Sequence, residues 1–226
     1  MLDEAGQYLW GQAFEGGAAV GLVINVLLTF AGLACGIVIG IPLGVVRGMA
    51  PPWMHAPVTA ILALVRATPL LLLILWLYLF IEVVLSLRLS PTWIGAIALG
   101  LYSATWISDA FLAGTRAVPA DQIRAARALG FGSLGVARHV VVPIAWRVML
   151  PTLTSFATTL FKDSSFCYII GVIELMQVGV FKATREPSRI VEIYTAVGLL
   201  FFAFAFAGTR LAAKLERRAR IRGLLS

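Results

Sequence analysis

The sequence predicts an all-α integral membrane protein with five transmembrane helices and one helix-bearing loop between them. Two observations carry that expectation. Of the 226 residues 60% are hydrophobic and 13% charged, whereas a soluble domain runs near half apolar and about a quarter charged, and the mean hydropathy is +0.94. The apolar residues also fall into long runs separated by charges, and a membrane-spanning helix needs roughly 20 such residues. A chain of this length holds about five spans and leaves no room for a separate soluble catalytic domain.

Residues 1–15 carry Asp3 and Glu4 but no basic cluster. They are expected as an external N-terminal segment rather than a cleaved signal, with the first span serving as the insertion signal. The run from Gly16 to Val46 has no charged residue and gives a span at about 18–46. Within it Gly32, Gly36, Gly40 and Gly44 recur every fourth residue, a spacing that lets another helix approach closely. Pro51, Pro52 and Pro57 then make a turn. A second span is expected at 58–81, with Arg66 inside it, and Glu82 and Arg88 mark the loop that follows. The third span covers 91–115 and contains Asp109.

Residues 116–147 break the pattern, with five arginines, Asp121, two prolines and no long apolar run. At their centre Ala125-Ala126-Arg127-Ala128-Leu129-Gly130 is a strong helix former stopped by a glycine, so this stretch reads as a water-exposed helical loop. Apolar character returns over 148–178 as a span broken around Lys162 and Asp163, and the last span covers 190–211. The spans and loop form one domain, 16–213, followed by a basic tail, 214–226. Five alternating spans with the N-terminus outside put twelve of the arginines and lysines on the inner face and four on the outer. That asymmetry orients the loop and tail towards the cytoplasm. It also accounts for a basic pI near 10 without nucleic acid as a partner.

Enzyme signatures are missing. There is no HExxH, the only histidines are His55 and His139, and none of the three lysines follows a glycine in a phosphate-cradling loop. Cys35 and Cys167 have no CxxC spacing and read as small buried residues. Transport by a chain like this must draw on a gradient or on a partner.

The loop indicates the partner. Arg124-Ala125-Ala126, three residues, Gly130, nine residues and Val140-x-Val142-Pro143 resemble the EAA loop of permeases of ATP-binding-cassette importers. Arg124 stands where that family usually has glutamate. Two alanines and a glycine give a smooth helix face that can dock in a groove. The resemblance runs from about Gly21 to Arg218 and narrows to the polar amino-acid uptake branch. It rests there on Val65–Phe80 (VRATPLLLLILWLYLF), Leu160–Leu175 (LFKDSSFCYIIGVIEL) and Pro143–Pro151. Asp109 occupies a position where that branch has glutamate.

The resemblance implies a type I importer permease fold in the bacterial inner membrane, not itself an enzyme. It implies docking of two ATP-binding subunits on Arg124, Ala125, Ala126, Leu129, Gly130 and Pro143. ATP and magnesium would be bound by those partners, with no cofactor on this chain. It further implies a second permease subunit, identical or homologous, an external solute-binding protein and an amino-acid substrate.

Charges inside a bilayer are costly and mark cavities or ion pairs. Lys162 and Asp163 follow Pro151 by about 11 residues, roughly 16 Å of helix, near the middle of a core of about 30 Å. With Ser164 and Ser165, which can stabilise a helix break, they are candidates for the substrate path, together with Arg66 and Thr68. Lys162 and Asp163 serve equally well as a structural ion pair between two permeases, and Arg66 can snorkel towards the inner face. Two other function classes stay open from the residues alone. One is a gradient-driven carrier or channel, which the lack of an inverted repeat disfavours. The other is an intramembrane enzyme using Lys162, Asp163 and a serine, which has no histidine beside it.

Overall fold

The computed structural model describes residues 17–221, without the side chains of Met49, Pro52 and residues 215–221. The expected external segment 1–15 and the last five residues of the basic tail therefore lie outside the described residues. The helices are α1 (Gly17–Met49), α2 (Pro52–Ala67), α3 (Leu70–Leu79), α4 (Pro91–Arg116), α5 (Ala120–Ala128), α6 (Ser133–Val136), α7 (Val142–Asp163), α8 (Leu175–Arg185) and α9 (Ile190–Ile221). A π-turn, Phe80–Val84, extends α3, and another, Ala137–Val141, joins α6 to α7. A 3-10 segment, Ser164–Ile170, continues α7. No strand occurs among the described residues. Four helical stretches are long and apolar enough to cross a membrane, and five if the bent pair α2–α3 counts as one.

The centre of the fold is the pair α1 and α4. A methyl group on Gly32 would lie 2.9 Å from Leu99 Cβ, and one on Gly36 would lie 2.5 Å from Ser103 Cβ. The series continues with Gly40 on Ile107, Gly44 on Phe111 and Gly48 on Thr115. Both helices advance four residues per contact, so they run parallel with their backbones nearly touching. With glycine on the α1 side, the α4 residues Leu99, Ser103, Ile107, Phe111 and Thr115 lie directly on the α1 main chain, and van der Waals contact holds the seam, as in membrane helix pairs rich in small residues. The cysteines fit the same seams. Cys35 faces Gly100 and Cys167 faces Gly95.

Gly36→Ala is therefore expected to cost about 1–3 kcal/mol, the range for overpacking a tight core. Both helices would have to move apart, because the opposing atom is a Cβ fixed to the α4 backbone. Thermal unfolding of the purified protein checks this, and an unchanged midpoint would contradict the close packing.

Parallel neighbours require the chain to return to its starting end between them. The run 58–81, expected as one span, makes that return as two helices. It breaks at Thr68–Pro69, and α2 and α3 meet at 102°. Proline removes the N–H that would continue α2 and keeps the residue before it out of helical geometry. Thr68 is accordingly extended at φ −79°, ψ 126°, and its hydroxyl donates back to the Leu64 carbonyl at 3.0 Å.

A second difference concerns the loop expected at 116–147. Helix resumes at Ser133 and runs through α6, the π-turn and α7 with no interruption up to Ile170. The charges of Arg138, His139 and Arg147, which read as loop, lie on the exposed side of this helix. α7 returns antiparallel to α4. A methyl on Gly114 would lie 2.8 Å from the Ala145 carbonyl oxygen near one end, while Gly95 meets Cys167 near the other.

Beyond α8, Glu186 takes an ion pair from Lys182 at 3.0 Å and another from Arg189 at 3.5 Å. The Lys182 hydrogen bond comes first among the causes that hold the Glu186 carboxyl below its usual range. These contacts close the short turn that leads into α9.

Candidate functional site

The features that bear on function occupy three places: the α5 loop, the α7 break, and the α1–α2–α4 junction.

In the loop, Pro119 precedes α5 and Asp121 lies in its first turn, where a negative charge complements the helix dipole. Asp121 also pairs with Arg124. Only Ala126 is buried. It packs with Val118, Val136 and Val141 in a small core of its own. Arg124, Ala125, Arg127 and Ala128 point outward, and Leu129 is 79% exposed. The helix stops where Gly130 adopts φ +87°. There the Phe131 N–H reaches the Ala126 carbonyl at 3.1 Å and the Gly130 N–H reaches the Arg127 carbonyl at 3.0 Å. This pair of bonds is the Schellman arrangement, in which the left-handed residue is usually glycine. Leu134, at 81% exposed, lies just beyond. Pro143 sits exposed in the first turn of α7. The loop thus presents an anchored helix on which Ala125, Ala128 and Leu129 lie exposed beside Arg124 and Arg127, a surface that another protein can cover.

At the break, α7 gives way to the 3-10 segment after Asp163 and ends at Gly171, where φ is +85°. A methyl on Gly32, at the middle of α1, would lie 3.3 Å from a Leu160 methyl, so Lys162–Ser165 begin less than one turn from mid-helix. Lys162 is exposed, and Asp163 and Ser165 are half-buried. The Ser165 hydroxyl donates to the Lys162 carbonyl at 2.7 Å. Neither Lys162 nor Asp163 makes a side-chain hydrogen bond or ion pair among the described residues. Ser164 differs from its neighbours. It is fully buried, donates to the Phe161 carbonyl at 2.7 Å and accepts from Asn25 at 2.9 Å. Its hydroxyl is thus committed to two bonds inside the fold, unlike that of Ser165.

Arg66 and Thr68 do not join this group. Arg66 pairs with Asp109 of α4, and Arg47 of α1 reaches the same carboxylate at 2.6 Å. Arg47 also donates to Ser108 at 3.0 Å and to Thr59 at 3.2 Å. Arg66 donates to the Thr105 carbonyl at 3.1 Å and lies over the Trp106 ring at 5.3 Å. Rather than snorkelling to a surface, it shares one counter-ion with a second arginine and ties α1, α2 and α4 together. Trp106 in turn meets Phe156 of α7 at 5.9 Å, so an aromatic pair joins the junction to α7.

Four polar residues of consequence were not among the sequence candidates: Arg47, Asp109, Asn25 and Glu174. The signal existed for three of them. Asp109 is the only acid in 89–114, Glu174 the only acid in 164–180, and Asn25 the only carboxamide in 16–46.

Comparison with known proteins follows the same lines. The family described as "Binding-protein-dependent transport system inner membrane component" matches residues 36–221. The glutamate/aspartate import permease protein GltK of Escherichia coli O6:H1 is 29% identical over 88% of this chain and 91% of its own length. The octopine transport system permease protein OccM of Rhizobium radiobacter is 28% identical, covering 87% and 83%. The glutamine transport system permease protein GlnP of Escherichia coli K12 is 28% identical, covering 91% and 92%. Among solved structures, the fold matches one described as an amino acid ABC transporter with histidines. Its TM-score is 0.77 at 24% identity, over 88% of this chain and 92% of that one. The MetNI methionine ABC transporter matches with TM-score 0.67 at 22% identity, over 87% and 95%.

Proposed function

The chain belongs to the family of binding-protein-dependent transport system inner membrane components, and from that premise we propose that it is the translocation subunit of an ATP-driven importer for a polar amino acid. The fold is the all-helical permease fold of type I importers, and the protein is a membrane permease. The observation that supports ATP coupling is the α5 loop. It is an anchored helix, stopped by a left-handed glycine, whose Ala125, Leu129 and Leu134 are exposed among the described residues.

In this reading two ATP-binding subunits, which hold ATP and magnesium, grip α5 around Arg124, Ala125, Ala126, Leu129 and Gly130, with Pro143 behind it. Their closure is passed through the small core at Ala126, Val136 and Val141 into the continuous helix α6–α7. That helix carries Lys162 and Asp163, so movement at the loop reaches the break directly. A second permease, identical or homologous, completes a path in which Lys162 meets the carboxylate of the solute. Asp163 meets its ammonium, and Ser165 and the backbone of the break stand beside them. The amino-acid substrate is supported by the relatives named for glutamate/aspartate, glutamine and octopine. An external solute-binding protein delivers it.

The loop faces the cytoplasm and the N-terminus lies outside, as the charge asymmetry implies. A cysteine at Ser188 then reacts with an impermeant thiol reagent in intact cells and one at Ser133 does not. The reverse pattern would overturn the orientation. For the coupling itself, affinity purification of the tagged chain from cells expressing its operon should retain an ATP-binding subunit. Trimming Leu129 and Leu134 to alanine should release that subunit. Retention after both substitutions would contradict docking at the loop.

A further inference from the structure

Asn25 of α1, Ser164 at the start of the 3-10 segment and Glu174 at the start of α8 are each fully buried, and nothing in the transport reading uses Asn25 or Glu174. Their side chains form one hydrogen-bonded network. The Asn25 amide nitrogen donates to Ser164 Oγ and to Glu174 Oε2, both at 2.9 Å. Its oxygen accepts the Leu175 N–H at 3.1 Å. The Glu174 carboxyl also accepts the Met176 and Gln177 N–H groups, each at 2.9 Å. Three donors and no acceptor converge on it, the pattern a carboxylate satisfies and an amide does not.

The backbone fit is equally tight. A methyl on Gly21 would lie 2.7 Å from the Leu175 nitrogen, so the first turn of α8 rests on the α1 main chain. A 3-10 segment has poorer internal hydrogen bonds than an α-helix and rarely runs past three or four residues. This one runs for seven, Ser164–Ile170, and needs support from outside. Asn25 supplies it at the residue next to Asp163.

We propose that Asn25 and Glu174 are positioning residues that fix the break, so that Lys162, Asp163 and Ser165 face the translocation path. The role in transport rests on the reading of that break as the solute site; the geometry is testable without it. Glu174→Gln replaces one carboxylate oxygen with an amide nitrogen, so at least one of the three converging N–H groups loses its acceptor. Asn25→Asp places a second carboxylate beside Glu174. Each disturbs the buried network with little change of shape, because three N–H donors then face only one acceptor oxygen in the first, and two carboxylates face each other in the second. The N25D/E174Q double restores a donor and an acceptor in reversed order. Its recovery is partial, because the Met176 N–H loses its acceptor.

The test uses the assembled importer in vesicles, with a cysteine at Ser165 as reporter and a small methanethiosulfonate as probe. The same protein without the reporter corrects for Cys35 and Cys167. Each single substitution is expected to speed labelling at 165 by about tenfold, the order set by losing a buried hydrogen bond, and the double to recover part of it. An assembled single variant that labels at the parental rate would overturn the proposal. Should the singles not assemble, the double decides. A rate near that of the parent supports the pairing, and a rate shifted by tenfold contradicts it. Failure of the solute-site reading looks different. Asp163→Asn would then leave uptake unchanged while labelling at 165 still responds to Asn25 and Glu174.

Discussion

Replacing Gly130 with leucine is expected to abolish ATP-driven uptake while the protein still inserts and folds. At φ +87° a side chain other than glycine costs roughly 1–2 kcal/mol. The cost falls on a turn whose two hydrogen bonds, Phe131 to Ala126 and Gly130 to Arg127, stop α5 at the right residue. Among the described residues, its two chain neighbours aside, no atom lies within 4 Å of a methyl placed there. Crowding inside the permease is therefore not the mechanism. The leucine would project from the end of α5 into the space that the proposed docking assigns to an ATP-binding subunit, on a helix tied to the bundle by Ala126. Gly130→Asn separates the two contributions, since asparagine tolerates the left-handed conformation but still adds bulk. Co-purification of the ATP-binding subunit and uptake in vesicles are the measurements. Uptake by Gly130→Leu at the parental rate would contradict the docking role.

The second large effect is expected at Asp163. Its carboxylate is half-buried one residue before the break and has no hydrogen bond or ion pair among the described residues. A contact between a charged group and its partner contributes about 1.5–3 kcal/mol, so Asp163→Asn should slow uptake by about tenfold or more while the assembly stays intact. The competing role, an ion pair between two permeases, gives another outcome. The dimer would loosen and its melting temperature would fall. Adjacent residues on a helix point about 100° apart, so Lys162 cannot easily serve as the missing partner itself. An assembled variant of normal thermal stability that imports at the full rate would exclude both roles.

How legible these features are in the sequence depends on the range of the interaction that makes them. The uncharged run 16–46 and the stretch 91–115 announce themselves because lipid admits few charges. The glycines at every fourth position announce a close seam, and α1 meets α4 along it. The kink at Thr68–Pro69 was visible as a proline. Hydropathy passes smoothly across it, however, and the 102° angle belongs to a junction that pairs Arg66 with Asp109, 43 positions away in the sequence. The start of the long helix at Ser133 was hidden for the opposite reason. Its first turns carry charges that read as loop because they lie outside the apolar zone. Least legible was the Asn25–Glu174 bond, whose partners stand 149 positions apart. No local pattern records such a pair, and only the absence of other carboxamides or acids in the two runs hints at it. At the break, composition located Lys162–Ser165 but could not separate Ser164, turned inward to Asn25, from its neighbours.

The account stands most directly on one measurement. Vesicles carrying this permease with its operon's ATP-binding subunits and solute-binding protein are loaded with ATP and magnesium or left empty, then given radiolabelled glutamate, aspartate, glutamine and histidine. Accumulation of at least one of these against its gradient, only in the ATP-loaded vesicles and lost in the Gly130→Leu protein, is the result expected. Accumulation that proceeds without ATP and follows an imposed ion gradient would contradict the assignment.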